Sequence, residues 1–161
     1  METSSKWTSK DIAKIGIVMA LYVILTVAIA PLSYGNIQFR FSEILLLLCF
    51  FNPKYNWSLI LGCMIANLFS PLGVIDIAFG TIATILTVFC INKCKNIWIA
   101  SLFASIWNSL IVGFELSYVY NLPYWIPFLE VFAGEFVVVT LIGCPLFILL
   151  NKNNSIDKFI K

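Results

Sequence analysis

Three long stretches of this chain carry no charge: Ile15 to Phe39, Tyr55 to Ile75 and Asn96 to Phe114. Each reaches the roughly 20 residues that a helix needs to cross a hydrocarbon core about 30 Å thick. Only 11% of the 161 residues are charged and 61% are hydrophobic, where a soluble domain carries about 25% charged residues. The expectation is an integral membrane protein: a single all-α domain over residues 1–161, built as a bundle of transmembrane helices. The apolar segment after Lys14 is too long for a signal peptide, so the first segment is expected to stay as a span.

Punctuation residues divide the chain into six predicted helices, at about 11–30, 40–51, 56–69, 75–91, 97–116 and 128–150. Pro31 is expected to stop the first. The second is short, about 12 residues or about 18 Å at 1.5 Å per residue. It does not span upright, so the Pro31–Gln38 loop before it has to dip into the bilayer. Irregular backbone at that depth survives only against protein or along a cavity, which points to a cavity beneath this loop. Asn52-Pro53-Lys54 and Asn92-Lys93-Cys94-Lys95 read as turns at one end. Ser70-Pro71-Leu72-Gly73 and an aromatic-rich loop from Ser117 to Pro127 read as turns at the other.

Six helices place both termini on one side. That side then holds Lys6, Lys10, Lys14, Lys54, Lys93, Lys95, Lys152, Lys158 and Lys161, nine of the ten basic residues. Short loops rich in Lys and Arg stay cytoplasmic, so both termini are expected inside. The outer half keeps Arg40 and five of the eight acids: Glu43, Asp76, Glu115, Glu130 and Glu135. Ionisable groups in the bilayer cost about 2.5–3.5 kcal/mol each at its centre and usually mark a pathway or site.

With Asn67 and Asn108, these residues form the candidate site. Asn108 and Glu115 are seven apart and share a helix face. Glu130 and Glu135, five apart, point about 140° away from each other. Each residue also has a structural reading. Glu115 and Glu130 would be solvated at the interface, Asp76 would be a first-turn acid favoured by the helix dipole, and Arg40 with Glu43 would be a local ion pair. Taken together, convergent acids and amides without Lys or His suit a ligand rich in N–H donors and bearing positive charge, because ionised carboxylates only accept hydrogen bonds. Trp107, beside Asn108, and Trp125 are stacking candidates for a flat ligand, while most of the outer aromatics, Tyr118, Tyr120 and Tyr124 among them, read as an interfacial belt. Ala13, Gly16 and Ala20 give the first helix small-residue spacing, suited to close packing within the bundle or against another membrane subunit.

Other classes fit poorly. The chain has no His, hence no Ser-His or Cys-His machinery for acyl transfer. Its five cysteines, Cys49, Cys63, Cys90, Cys94 and Cys144, lie in or beside apolar segments and form no Cys-x-x-Cys pair. They read as packing residues rather than a metal site or disulfide frame. No Gly-x-x-x-x-Gly-Lys-Ser/Thr loop is present, so ATP would have to be used by a partner. Nothing suggests nucleic acid, and the chain is not expected to be an enzyme or to carry a cofactor of its own.

The run Gly35-Asn36-Ile37-Gln38-Phe39-Arg40-Phe41-Ser42-Glu43, then Phe51-Asn52-Pro53-Lys54, then Asn67 through Asp76 resembles the QueT family. So do Phe79-Gly80-Thr81, Trp107-Asn108 and Gly134-Glu135. The resemblance covers about Lys10 to Leu150, and the run from Asn67 to Asp76 is its most specific part. It implies the substrate-binding S component of an energy-coupling factor (ECF) transporter in a prokaryotic plasma membrane. The fold implied is six helices around an outward-facing site roofed by the loop between the first two. The ligand implied is a queuosine precursor, typically 7-aminomethyl-7-deazaguanine. The partners implied are a membrane-embedded coupling protein and two cytoplasmic ATPases, with small residues of the first helix, Gly16 and Ala20, at the junction. On this basis Glu115 and Glu135 are expected to accept from the guanine edge or the ammonium. Asn67, Asp76, Asn108 and Glu130 complete the site, and Arg40 and Glu43 latch the lid loop. Queuine or another vitamin-like heterocycle as ligand, and a membrane scaffold that transports nothing, remain the alternatives.

Overall fold

The structure, a computed structural model, describes residues 7–153. Lys6, Lys158 and Lys161, counted above among the inner-side charges, lie outside the described residues. The described chain is all-helical. Four helices are long and apolar enough to cross a membrane: Ser9–Ala28, Val74–Ile91, Ile97–Tyr120 and the continuous run Trp125–Lys152. The architecture is therefore the expected all-α membrane bundle.

α1 (Ser9–Ala28) opens on a capping box, in which Thr8 Oγ1 accepts from the Asp11 N–H and the Asp11 carboxylate accepts from Thr8 N–H. The helix closes at Ala28, and Pro31 does not act as the stop. It occupies the first turn of a separate short helix, α2 (Ala30–Ser33), where its fixed φ and missing N–H are no handicap. The predicted second helix is largely 3₁₀ (Phe41–Leu47), relaxing into the single α-turn α3 (Leu48–Phe51). A seven-residue 3₁₀ run is long for that geometry. Its tight winding puts Ser42, Glu43, Leu46 and Leu47 on the buried side.

After a 3₁₀ turn at Pro53–Tyr55 come α4 (Asn56–Asn67), α5 (Val74–Ile91) and α6 (Ile97–Tyr120). α6 runs four residues past the predicted end, until Asn121 stops it in the left-handed conformation at φ 52°. The expected Ser117–Pro127 loop thus shrinks to the few residues before α7 (Trp125–Glu135). α7 passes through a π-helical stretch, Phe136–Gly143, into α8 (Cys144–Lys152).

Neighbours in sequence are mostly neighbours in space. α1 packs on α4, α4 on α5, α5 on α6 and α6 on α7, while the Phe41–Leu47 turn wedges between α1 and the π-helical stretch. Ion pairing joins Lys54 to Asp11 across 3.0 Å. A shallow surface cleft brings Lys95 beside Phe51 and Asn151, so the turns carrying lysine gather at one end. The core beneath is apolar, including Leu46, Leu59, Cys63, Ile91, Ala104, Val138 and Cys144. Cys49, Cys63, Cys90, Cys94 and Cys144 are all free thiols. Large side chains such as Ile24, Phe89 and Leu129 face outward, as a lipid-facing surface requires. Lipid tails are as apolar as leucine, so the bundle is held by close packing and internal hydrogen bonds more than by hydrophobic burial.

Candidate functional site

At the end of the bundle away from the lysines, four carboxylates are withdrawn from solvent. Glu43, Asp76, Glu115 and Glu135 are between 0% and 3% exposed. One cation accompanies them, Arg40, itself 1% exposed. The five arrive on four elements: Arg40 and Glu43 around the start of the 3₁₀ turn, Asp76 in the first turn of α5, Glu115 near the end of α6, Glu135 at the close of α7.

Arg40 is the hub. Its Nη2 donates to Asn67 Oδ1 at 2.5 Å and lies 4.0 Å from Asp76 Oδ2. Its guanidinium sits 5.5 Å from the centre of the Tyr34 ring, a cation–π distance. Asn67 Nδ2 completes the knot by donating to the Asp76 carbonyl at 2.9 Å. A Cβ at Gly80 would overlap that same Asn67 amide, so glycine there lets α5 come close enough for the knot to form. Tyr34 OH donates to the Ala66 carbonyl at 2.6 Å. Together these bonds tie the loop before Arg40 to α4 and α5.

Glu43 sits on the other side. Tyr22 of α1 donates its hydroxyl to Glu43 Oε1, and Asn108 Nδ2 approaches Oε2 at 3.4 Å. Thr26, one turn after Tyr22, donates to Ser42 Oγ at 2.6 Å. The expected Arg40–Glu43 ion pair is not formed among the described residues. The 3₁₀ winding sends Glu43 toward α1 and α6, and Arg40 turns to Asn67 and Asp76 instead.

Glu115 and Glu135 differ from both. No oxygen of either carboxylate makes a hydrogen bond with a described residue, and Arg40 Nε and Asp76 Oδ1 are likewise unpaired. Glu115 lies within electrostatic reach of Asp76 and Arg40. Glu135 lies within reach of Glu43 and Arg40 and beside the Asn108 amide. Buried polar groups in folded proteins are almost always paired, so two orphaned carboxylates in one half of one bundle make this region the candidate site.

The loop after α2 closes over this region. A Cβ at Gly134 would overlap the carbonyl oxygens of Ile37 and Gln38, so the loop backbone rests directly on α7 one residue before Glu135. Gln38 holds that path at φ 51° and is buried.

The sequence itself has counterparts among known proteins. Residues 12–152 match the family described as QueT transporter. The chain belongs to the QueT transporter family. It is 37% identical over 142 residues to the "Queuosine precursor transporter QueT" of Lactococcus lactis subsp. cremoris (strain MG1363), the aligned region covering 78% of this chain and 83% of that protein. No solved structure matches it. The family resemblance read from Gly35–Glu43 and Asn67–Asp76 is thus the family shown, and the chain is a multi-pass membrane protein of a transporter family.

For this family member the structure sorts the residues nominated from the sequence. Asn67, Asp76, Asn108, Glu115 and Glu135, with Arg40 and Glu43, come together. Trp107 and Glu130 lie apart from them. Trp107 Nε1 points at Cys90 Sγ, 3.3 Å away on α5, because residue 107 sits about 100° around the helix from 108. Glu130 is half-buried and makes no hydrogen bond or ion pair among the described residues. On α1, Ala13 and Ala20 are exposed and a Cβ added at Gly16 would meet nothing within 4 Å, so this small-residue face is left open among the described residues. Tyr22 and Gln38 are part of the site and were missed. Val18, Tyr22 and Thr26 are the buried residues of α1, and their four-residue spacing is the signal that this face of the helix, carrying Tyr22 and Thr26, turns inward.

Proposed function

We propose that this chain is the substrate-capturing membrane subunit of an ECF-type importer in a prokaryotic cell membrane, taking up a queuosine precursor, 7-aminomethyl-7-deazaguanine. The observation that carries the reading is the pair of buried, unpartnered carboxylates, Glu115 and Glu135, beneath the Gln38 loop. A deazaguanine offers an amide N–H and an exocyclic amine along one edge, and its aminomethyl arm adds an ammonium. Acceptor-only groups complement such a molecule. The relative from Lactococcus lactis, named as a queuosine precursor transporter, supports the same ligand class.

In this reading Asp76 and Asn108 orient the ligand, Asn67 holds Arg40 and Asp76 in place beside it, and Arg40 and Glu43 couple the loop to the site. The end that gathers Lys10, Lys14, Lys54, Lys93, Lys95 and Lys152 faces the cytoplasm, as the bias of lysine in short loops requires. Six membrane segments then place both termini there. The chain has no phosphate-binding loop, so the energy comes from a coupling protein and two ATPases. The unpacked Ala13–Gly16–Ala20 face of α1 is the surface offered to the coupling protein.

The test is calorimetric titration of the purified protein in detergent with 7-aminomethyl-7-deazaguanine, queuine and guanine. Tight binding of a deazapurine, with guanine much weaker, is the expected result. A folded sample that binds none of the three sinks the assignment. Co-purification of two ATPases with the tagged chain tests the partnership separately.

A further inference from the structure

The buried charges do not balance. Four carboxylates face one guanidinium among the described residues in this half of the bundle, a formal excess of three negative charges. Burying an unpaired charge is far more costly than burying a paired one, so the cluster is built to receive positive charge. Geometry locates where. Arg40 leans toward Asn67 and Asp76; Glu43 and Glu135 lie within its electrostatic reach but neither has a direct ion pair among the described residues. Those two approach each other because the 3₁₀ turn that carries Glu43 packs against the stretch following Glu135. Glu43 is oriented by Tyr22 and Asn108, while both oxygens of Glu135 lie free and 1% exposed.

We propose that the site is divided, with Glu43 and Glu135 forming a subsite for the ligand's ammonium group and Glu115 taking the N–H edge of the heterocycle. The proposal rests on the deazapurine reading above and deepens it, because it makes charge the basis of selectivity. A neutral ligand of the same shape leaves the Glu43–Glu135 pair uncompensated, and sites built around a buried polar contact reject analogues that lack it. Tyr22 is a positioning residue, holding Glu43 at the angle the ammonium needs.

The experiment compares 7-aminomethyl-7-deazaguanine with its neutral isostere 7-ethyl-7-deazaguanine by titration against the purified full chain. Wild type is expected to prefer the amine by at least ~100-fold. Glu135→Gln is expected to weaken the amine alone, bringing the preference below about tenfold, and Glu43→Gln to do the same. Glu115→Gln should weaken both ligands alike and keep the preference. Thermal unfolding without ligand gives a readout independent of binding. Glu135→Gln removes an unpaired buried charge and should melt no lower than wild type, so loss of amine binding is not loss of fold. Tyr22→Phe, which keeps the ring and its packing, should cut the preference by a smaller factor. Equal binding of amine and isostere by wild type overturns this proposal and leaves the deazapurine reading standing. So does an unchanged preference in both Glu135→Gln and Glu43→Gln. Binding of neither compound by folded wild type overturns both.

Discussion

Asn67 and Glu115 are both buried in the half of the bundle away from the lysines, yet their surroundings differ completely. Asn67 accepts from Arg40, donates to the Asp76 carbonyl and rests on Gly80. Glu115 has neither oxygen hydrogen-bonded. The Asn67 amide is satisfied within the chain, while Arg40 Nε and Asp76 Oδ1 beside it are not, so its bonds serve to hold α4, α5 and the Arg40 loop together. The Glu115 arrangement is incomplete, so it costs stability and is explained only by something that joins it. A polar residue in a membrane helix is thus structural or functional according to whether its partners come from the same chain, and residue type alone does not say which.

The comparison breaks most visibly at Arg40. Arg40→Leu removes the hub of the completed side and leaves Asp76 and the Asn67 carbonyl oxygen facing apolar surroundings. Breaking a buried pair by deleting one partner costs about 3–5 kcal/mol. The expected outcome is a steep loss of folded yield and a lower unfolding midpoint in detergent. An Arg40→Leu protein as stable as wild type would show that the Arg40–Asn67–Asp76 knot holds nothing.

Glu115→Gln probes the incomplete side and should do the opposite. It replaces a buried carboxyl that no described residue hydrogen-bonds with a neutral amide of the same shape, so ligand-free stability should hold or rise. Binding of the deazapurine should fall about 30-fold, the value of a charged hydrogen bond at roughly 2 kcal/mol. Titration and a melting curve on the same sample separate the two effects. Lower stability with unchanged affinity would move Glu115 into the structural class with Asn67.

Gly134→Ala acts between the two sides, where the loop meets α7. The added methyl has to displace the backbone of Ile37 and Gln38, and overpacking of this kind costs typically about 1–3 kcal/mol. Because the contact is one residue from Glu135, the expected effect is a loop that no longer seats. Amide exchange over residues 35–40 should quicken and affinity should fall about tenfold. Unchanged exchange would mean that the loop does not depend on this contact.

Much of this comparison was legible in the sequence, for identifiable reasons. Uncharged stretches and lysine-bearing turns report directly on burial in lipid, so the helices at 75–91 and 97–116 and the gathering of acids opposite the lysines could be read without coordinates. Glu115 and Glu135 stood out because a carboxylate in an apolar run is conspicuous. What could not be read was winding. The 3₁₀ geometry of Phe41–Leu47 swings Glu43 away from Arg40 and toward Tyr22, and no propensity distinguishes that turn from an α-helix. Tyr22 itself hid inside the apolar stretch after Lys14, where an aromatic reads as core or interface. The π-helical stretch after Glu135 was equally silent, since Phe136–Gly143 is uniformly apolar and offers no period to shift.

The smallest expected effects sharpen the comparison from outside it. Trp107 neighbours Asn108 in sequence and Glu130 precedes Glu135 by five residues, so both were natural members of a site drawn from the chain alone. In space Trp107 is engaged with Cys90, and Glu130 is only half-buried, where an acid keeps part of its hydration and needs no partner. Trp107→Phe keeps a ring against α5 and loses one weak N–H···S contact. Glu130→Gln removes a charge that water already screens. Each should leave deazapurine affinity within about twofold of wild type, since surface changes of this kind stay within about 0.5 kcal/mol. A tenfold loss in Glu130→Gln would mean that the negative field of the outer half, rather than direct contact with buried oxygens, draws the ligand in. The boundary between completed and incomplete groups would then lie further out along α7 than Glu135.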